Sequence, residues 1–227
     1  MAAESLRSPV PADAAAIVRA ATRLTPVPLV PEIRLRCAAE PISLWQRTER
    51  ELGQTGLPPP FWAFAWPGGQ ALARYLLDHP GVARGRRVID LASGSGLVAI
   101  AAARADAAAV TAYDVDPLAV AAIAVNAAAN EVSVAVTGQD VLAPGGPPPP
   151  ADLVLAADAF YQRELAASVM RFLERARASG AEVLAADLGR AYLPRTRLTP
   201  VMTYDVPGLA AIEDRDVKTT TVWTLGP

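Results

Sequence analysis

One segment constrains the fold of this chain more than any other: residues 87–100 run from an apolar strand through a turn into a helix. The turn reads Asp90-Leu-Ala-Ser-Gly-Ser-Gly96. Small residues let the backbone approach a ligand closely, and the first turn of the helix that follows has free N–H groups. A turn of this kind is typical of the ligand-binding edge of an α/β sheet.

The stretches after this turn alternate between strand-like and helix-like patterns. Strands are predicted over 87–91, 109–113, 132–137, 152–156 and 182–186, and helices over 70–77, 97–105, 117–130 and 164–178. Near-continuous apolar strands separated by helices indicate a parallel sheet that is covered on both faces. The last two strands, over 201–206 and 219–225, are too close for a crossover helix and indicate an antiparallel edge hairpin. We therefore predict a Rossmann-like, doubly wound α/β fold with a mostly parallel, seven-stranded sheet.

The first 57 residues have a different character, and we predict that 1–57 is an accessory segment and 58–227 the main domain. A helix is predicted over 12–24, a half-exposed strand over 32–37 and a short helix over 44–52. The segment is too small for a core of its own. The proline-rich stretch 145–150 is predicted to be an irregular loop.

Composition argues against several classes of function. The net charge of -2 gives no general field that would attract nucleic acid. With one cysteine, Cys37, and one histidine, His79, the chain offers neither a disulfide nor a metal cluster of the usual ligands. No uninterrupted apolar run reaches the roughly 18 residues of a membrane span. We expect a monomer in the cytoplasm.

Acidic residues follow three successive predicted strands: Asp90, Asp114 and Asp140. The carboxyl ends of parallel strands meet at one edge of the sheet, where ligands bind. Asp90 suits a cationic ligand better than a pyrophosphate, which favours S-adenosylmethionine (SAM) over NAD. Asp114 is placed to accept both ribose hydroxyls, and Asp140 or its backbone to meet adenine. The alternative is that all three are helix caps or turn residues.

The turn itself supplies further predicted cofactor contacts. Ala92, Ser93, Gly94 and Gly96 lie within it, and Ala157, at the end of the fourth strand, is placed on the same side. In contrast, Asp116 is followed by Pro117, a pair that fits a helix N-cap and first helical position, so we assign it a capping role.

Asp158 and Tyr161 follow the fourth strand, where this fold presents the transferable methyl group. A methyl acceptor must be held in line with the breaking bond and shielded from water, and an amine acceptor must be neutral. Asp158 and Tyr161 are the residues predicted to orient such an amine. The alternative is that Asp158 caps the next helix and Tyr161 packs in the core.

Several motifs together resemble the electron transfer flavoprotein β-subunit lysine methyltransferase group, a branch of the seven-strand SAM-dependent methyltransferases. The motifs lie at 22–25, 31–36, 60–78, 90–96, 113–117, 158–161, 186–190 and 218–223. The resemblance implies SAM as cofactor and a lysine of the flavoprotein β subunit as methyl acceptor. It also implies that Trp66 walls the cofactor, although Trp66 also fits plain core, and that Asp158 and Tyr161 lie at the lysine channel.

One residue departs from the pattern of this group. Ala92 stands where the group has the first glycine of the turn, and alanine is less free to adopt positive φ. We expect a slightly altered turn that still binds SAM. Two other interpretations remain open: a small-molecule or other-protein N-methyltransferase on the same scaffold, and a SAM-binding protein without catalysis.

Overall fold

A computed structural model describes residues 13–39, 59–143, 147–207 and 217–226. Its helices are α1 (Ala14–Ala21), α2 (Pro67–Asp78), α3 (Leu97–Arg104), α4 (Pro117–Ala129) and α5 (Arg163–Ala178). Its strands are β1 (Arg23–Pro26), β2 (Arg34–Cys37), β3 (Arg87–Leu91), β4 (Ala109–Tyr113), β5 (Ala135–Thr137), β6 (Leu153–Ala157), β7 (Glu182–Asp187), β8 (Leu198–Pro207) and β9 (Val217–Leu225).

A seven-stranded sheet in the order β5-β4-β3-β6-β7-β9-β8 forms the centre of the described structure. The first five strands of that order are parallel, and β9 pairs antiparallel with both β7 and β8. This confirms the predicted mostly parallel sheet with an antiparallel edge hairpin. The strand order reverses at β3: β4 and β5 lie on one side of it, and β6 and β7 lie on the other. Sheets of this type bind ligands at such a switch point.

Alternate residues of each strand feed two separate cores. Val88 packs with α2 and α3 on one face of the sheet, whereas its neighbour Ile89 packs with α5 on the other. Because successive side chains of a strand point to opposite faces, a strand that is buried on both faces must be apolar throughout. The continuous apolar pattern of β6 and β7 therefore follows from helices on both sides.

The described part of the accessory segment packs against the main core. Strands β1 and β2 form an antiparallel pair, and Leu35 of β2 belongs to the same buried cluster as α2 and α3. The predicted helix over 12–24 is too long, because it ends at Ala21 and Thr22 donates a 2.5 Å hydrogen bond back to the Val18 carbonyl. The predicted helix over 44–52 and the predicted boundary at 57/58 lie outside the described residues.

Two buried asparagines, one within α4 and one at its C-cap, attach β2 to the rest of the molecule. Asn126 accepts the Arg36 N–H at 2.9 Å, and Asn130 accepts the Arg34 N–H at 3.0 Å. Asn126 also donates to the Ser95 carbonyl at 2.8 Å, which lies in the turn after β3. A single buried amide thus links the accessory hairpin to the turn predicted to bind the cofactor.

The predicted strand over 132–137 is also too long, since β5 begins only at Ala135. The preceding residues instead close the end of α4. Glu131 has a φ of 58°, and the Val132 N–H donates to the Ala127 carbonyl at 3.2 Å. A left-handed residue followed by a backward hydrogen bond is a common way to end a helix. No described helix has the length and apolarity needed to cross a membrane.

Candidate active site

A cleft of about 380 Å³ opens at the carboxyl ends of β3, β4 and β6. That volume falls within the usual range for small-molecule sites. All but one of the predicted site residues line it: Trp66, Asp90, Ala92, Ser93, Gly94, Asp114, Asp140, Ala157, Asp158 and Tyr161. The switch point of the sheet therefore brings together residues that the sequence separates by almost a hundred positions.

Gly96 is the predicted residue that does not line the cleft. It precedes α3 with a φ of 83°, and a Cβ built on it would lie 3.1 Å from a methyl group of Ile123. Glycine is needed there for backbone conformation and for the close packing of α3 against α4. Contact between Gly96 and the cofactor stays a prediction beside this packing role.

Asp90, at the end of β3, is almost completely buried. Its Oδ2 accepts the Ser93 hydroxyl at 2.5 Å and the Ala99 N–H at 3.0 Å, so the side chain ties the turn to the first residues of α3. Burial raises the pKa of Asp90 to about 7, although both hydrogen bonds oppose that shift. A cation in the cleft would therefore restore full ionisation of this carboxyl group.

Asp114, just beyond β4, holds the same turn from the other side. Its Oδ2 accepts the Gly94 N–H at 2.8 Å and its Oδ1 accepts the Asp116 N–H at 3.0 Å. Each carboxylate oxygen has a second lone pair, so both oxygens can also accept a ligand hydroxyl. Burial raises the pKa of Asp114 to about 6. Asp90 and Asp114 therefore both stabilise the turn through hydrogen bonds and face the cleft. This placement is compatible with both alternatives, a turn residue and a ligand contact.

Two other acidic residues behave as turn and cap residues. Asp116 accepts the Leu118 N–H at 2.8 Å at the start of α4, which confirms the predicted N-cap. Asp140 is exposed and accepts the Leu142 N–H at 3.0 Å within its own turn, while its side chain also lines the cleft.

Ala92 adopts a φ of 53°, the left-handed conformation that favours glycine. Alanine thus takes this conformation itself. An L-residue with a Cβ is destabilised there by roughly 1–2 kcal/mol. The Ser93 N–H donates to the Tyr113 carbonyl at 3.0 Å, which helps to hold the turn in this shape.

Three of the aromatic rings that line the cleft pack together. The Trp66 indole N–H donates to the Phe61 carbonyl at 2.8 Å, and the Trp66 ring lies 5.8 Å from that of Phe61 and 5.7 Å from that of Phe64. Trp66 is only half-buried, so it is a wall of the cleft and not plain core. Sequence reasoning did not single out Phe61 or Phe64, although both lie in the aromatic stretch that it quoted.

Asp158 lies at the far side of the cleft with a φ of 56°. Its Oδ2 accepts the Gly69 N–H at 2.8 Å, and its Oδ1 accepts an N–H of the Arg190 guanidinium at 2.6 Å. The alternative that Asp158 caps α5 is wrong, because that helix begins two residues beyond Tyr161 with Gln162 at its N-cap. Burial raises the pKa of Asp158, while the charge of Arg190 opposes the shift.

Arg190 is a cleft residue to which sequence reasoning gave no role. It follows β7, and its Nη1 lies 2.6 Å from Asp158 Oδ1 and 2.9 Å from Asp187 Oδ2. Among the described residues that line the cleft, Arg190 is the only cation. The motif at 186–190 contributes to the family resemblance, but only the fold shows that Arg190 contacts Asp158.

Tyr161 stands at the mouth of the cleft and is 40% exposed, so it does not pack in the core. Its ring lies 5.3 Å from that of Phe61 at a tilt of 47°. The two rings offer an apolar lining beside Asp158, suited to an alkyl stem that ends in a polar group.

The cofactor side of this cleft fits SAM. Two buried carboxyl groups with raised pKa values, Asp90 and Asp114, call for a cationic ligand with hydroxyl groups. The small residues of the turn leave room for its approach, since a Cβ built on Gly94 would meet its nearest neighbour only at 4.0 Å.

Comparison with known proteins decides the family. The chain is 39% identical over 211 residues to the electron transfer flavoprotein β-subunit lysine methyltransferase of Xenopus laevis, covering 91% of this chain and 84% of that protein. The human protein of the same name is 36% identical over 208 residues, covering 88% of this chain and 76% of its own. The chain belongs to the electron transfer flavoprotein β-subunit lysine methyltransferase family. It is a SAM-dependent methyltransferase.

Two broader similarities agree with this family. Residues 70–179 match the ribosomal protein L11 methyltransferase (PrmA) family model. The magnesium protoporphyrin IX methyltransferase of Synechocystis, solved with bound SAM, has the same fold, with a TM-score of 0.51 and 16% identity over 70% of this chain and 78% of that one. These matches confirm the predicted fold class.

Proposed function

We propose that this enzyme transfers a methyl group from SAM to a lysine side-chain amine of the electron transfer flavoprotein β subunit. The observation that carries the proposal is a similarity that extends over about nine-tenths of the chain to relatives named for that activity. The similar region includes the residues of both the cofactor side and the acceptor side of the cleft.

The residues of the cleft divide the work between them. Asp90, Asp114 and the turn between them would hold SAM, which supplies an electrophilic methyl group when bound. Trp66 and Phe64 screen that side from water. Excluding water strengthens each electrostatic contact in the site and prevents loss of the methyl group to hydrolysis.

The acceptor side is suited to a lysine. Phe61 and Tyr161 would flank the apolar stem, and Asp158 has a remaining lone pair on each oxygen to accept an amine N–H. Such a bond would leave the nitrogen lone pair free and directed away from the carboxylate. The amine would then attack the methyl carbon that SAM supplies, S-adenosylhomocysteine would leave with the electron pair of the broken carbon–sulfur bond, and the amine proton would pass to solvent.

A second candidate, methylation of a ribosomal protein, rests on the L11 methyltransferase model. That match spans 70–179 and so includes Asp158 but excludes the aromatic stretch at 60–66 and Arg190. The named L11 methyltransferase of Bacillus subtilis is similar over only 28% of this chain. The family model thus leaves out the aromatic stretch and Arg190, which favours the flavoprotein subunit as the acceptor.

Labelled SAM separates the candidates. The purified enzyme is incubated with labelled SAM and, in parallel, with purified electron transfer flavoprotein, ribosomal proteins and a small-molecule extract. Label in the β subunit supports the proposal, and label only in ribosomal protein or only in small molecules contradicts it. Bound SAM with no transfer to any acceptor would indicate a SAM-binding protein without catalysis.

We further propose that the enzyme acts as a monomer in the cytoplasm. The single thiol, Cys37, is compatible with a reducing compartment. Size-exclusion chromatography with light scattering and cell fractionation test the two points, and a dimer or an exported protein would contradict them.

A further inference from the structure

Arg190 pairs with Asp158, and the proposed function gives Arg190 no role. A lysine amine must be neutral to attack a methyl carbon, yet Asp158, which faces it, is a carboxylate that would favour the ammonium form. A carboxylate alone would thus bind the acceptor in its unreactive state. The structure places a permanent cation on that carboxylate.

The pair is buried and firmly held. The side chain of Asp158 is 12% exposed and that of Arg190 is 19% exposed, so water screens their interaction only weakly. Backbone contacts fix both partners: the Gly69 N–H binds Asp158, and the Arg190 N–H donates to Asp187 Oδ1 at 2.7 Å. Gly68 lets α2 approach closely, since a Cβ there would lie 2.6 Å from Asp158 Oδ2.

The other charged groups nearby do not replace Arg190. Asp187 has a fully buried side chain, and its Oδ1 accepts the backbone N–H groups of Gly189 and Arg190. Its Oδ2 lies 2.9 Å from the Arg190 nitrogen that also binds Asp158, so the guanidinium is shared and offsets the charge of Asp158 in part. Tyr161 is a phenol, which is neutral at neutral pH, and burial raises its pKa further. Asp114 lies on the cofactor side, and Arg195 is exposed and donates to the Gly189 carbonyl.

We propose that Arg190 is a positioning residue of the acceptor site, which offsets the charge of Asp158 so that the lysine binds there as a neutral amine. This inference rests on the proposed function. With Arg190 in place, Asp158 accepts an amine N–H without holding an extra proton. Without Arg190, the Asp158 carboxylate and the lysine amine share one proton that leaves only at higher pH. This proton occupies either the lone pair of the lysine nitrogen or the Asp158 carboxylate.

The test is the pH profile of kcat at saturating SAM and flavoprotein, which reports groups in the bound complex. The Arg190→Gln variant should shift the rising limb of the profile upward by roughly 1–2 pH units, with kcat recovering at high pH. Arg190→Lys, which keeps the cation, should restore most of the wild-type profile. Arg195→Gln, a neighbouring arginine outside the cleft, is the matched control and should not shift it.

A uniform drop of kcat at all pH values in Arg190→Gln would mean a merely structural role and would overturn the proposal. So would equal profiles for the Gln and Lys variants. A second measurement needs no acceptor: carboxyl carbon-13 NMR of the aspartates should show a higher Asp158 pKa in Arg190→Gln than in wild type. An unchanged Asp158 titration would also overturn it.

Failure of the proposed function gives a different result. If wild-type enzyme transfers no methyl group to the flavoprotein, the β subunit is not the acceptor, whatever the NMR titration shows. If it does transfer and neither the profile nor the titration responds to Arg190→Gln, the acceptor stands and the role of Arg190 is wrong.

Discussion

Both halves of the cleft contain buried aspartates, but the negative charge of these aspartates is balanced differently in each half. On the cofactor side, Asp90 and Asp114 accept only N–H and O–H groups of the chain itself among the described residues. On the acceptor side, Asp158 is paired with the guanidinium of Arg190. One half leaves its carboxylates to be matched by a cationic ligand, and the other brings its own cation.

The difference follows from what each half must do. SAM is a permanent cation through its sulfonium, so carboxylates without a counter-charge strengthen its binding. The acceptor must be neutral when it reacts, so an unmatched carboxylate would work against it. Charge balance, more than the presence of acids, distinguishes the two subsites.

The largest expected effect comes from removing the charge on the acceptor side. Asparagine tolerates the positive φ of Asp158, so Asp158→Asn should fold normally. We expect kcat to fall by about 10²-fold, because the amine loses the acceptor that positions it for attack and a small misplacement costs about that much. SAM affinity, measured by calorimetry, should stay within a few-fold. A collapse of SAM affinity would place Asp158 on the cofactor side.

The converse change is Asp114→Asn. A hydrogen bond to a charged group contributes about 1.5–3 kcal/mol, so SAM should bind about 10–100-fold more weakly. The turnover number at saturating SAM should change little. Asp140→Asn is the matched control, because Asp140 is exposed and should cost no more than a few-fold. Unchanged SAM affinity in Asp114→Asn would refute the ribose-binding role.

The pH dependence of SAM binding tests the unmatched charges directly. Burial raises the pKa of Asp90 to about 7 and of Asp114 to about 6, so the folded protein holds protons that the unfolded chain would release. The cofactor-free enzyme should therefore lose stability as the pH rises from about 4 towards 7. SAM favours the ionised forms, and its affinity should rise roughly tenfold between about pH 5.5 and 7.5. A flat or falling affinity by calorimetry would contradict this.

A smaller effect should follow when the accessory hairpin is uncoupled from the turn. Asn126→Leu removes the partners of both the Arg36 N–H and the Ser95 carbonyl, whereas Asn130→Leu affects the hairpin and the Asn126 carbonyl of α4 but leaves the Ser95 carbonyl its partner. Each should lower the free energy of unfolding by about 1–3 kcal/mol per unsatisfied buried group. Only Asn126→Leu should also weaken SAM several-fold. Equal SAM affinities in the two variants would show that the link does not matter for binding.

The smallest expected effect concerns the alanine in the turn. Ala92→Gly removes the strain of a φ of 53° and should stabilise the protein by about 1 kcal/mol or less, since glycine also loosens the unfolded chain. That corresponds to a rise in Tm of about 2–4 °C at most. Glu131→Gly, at a φ of 58° in an exposed turn, is the matched control. If only Ala92→Gly destabilises the protein, the side chain of Ala92 makes contacts that outweigh its strain.

The sequence predicts the sheet and the cofactor side well because both depend on local patterns. Apolar strands, a turn of small residues and acidic residues at strand ends can each be recognised from residues that are neighbours in the chain. The sequence therefore predicts that Asp90 and Asp114 lie at the ligand-binding edge of the sheet. The charge balance of the acceptor side could not, because Asp158 and Arg190 are 32 residues apart and meet only through the pairing of β6 with β7. The end of α1 was missed for a similar reason: Arg23 and Leu24 pair with β2, which overrides their helical spacing.

The most direct test of lysine methylation by this cleft is peptide mass spectrometry of purified electron transfer flavoprotein after a short incubation with this enzyme and SAM. We predict added methyl groups on lysine of the β subunit with wild-type enzyme and far fewer with Asp158→Asn, although both bind SAM. Methyl groups on another residue type, or equal methylation by the two enzymes, would contradict it.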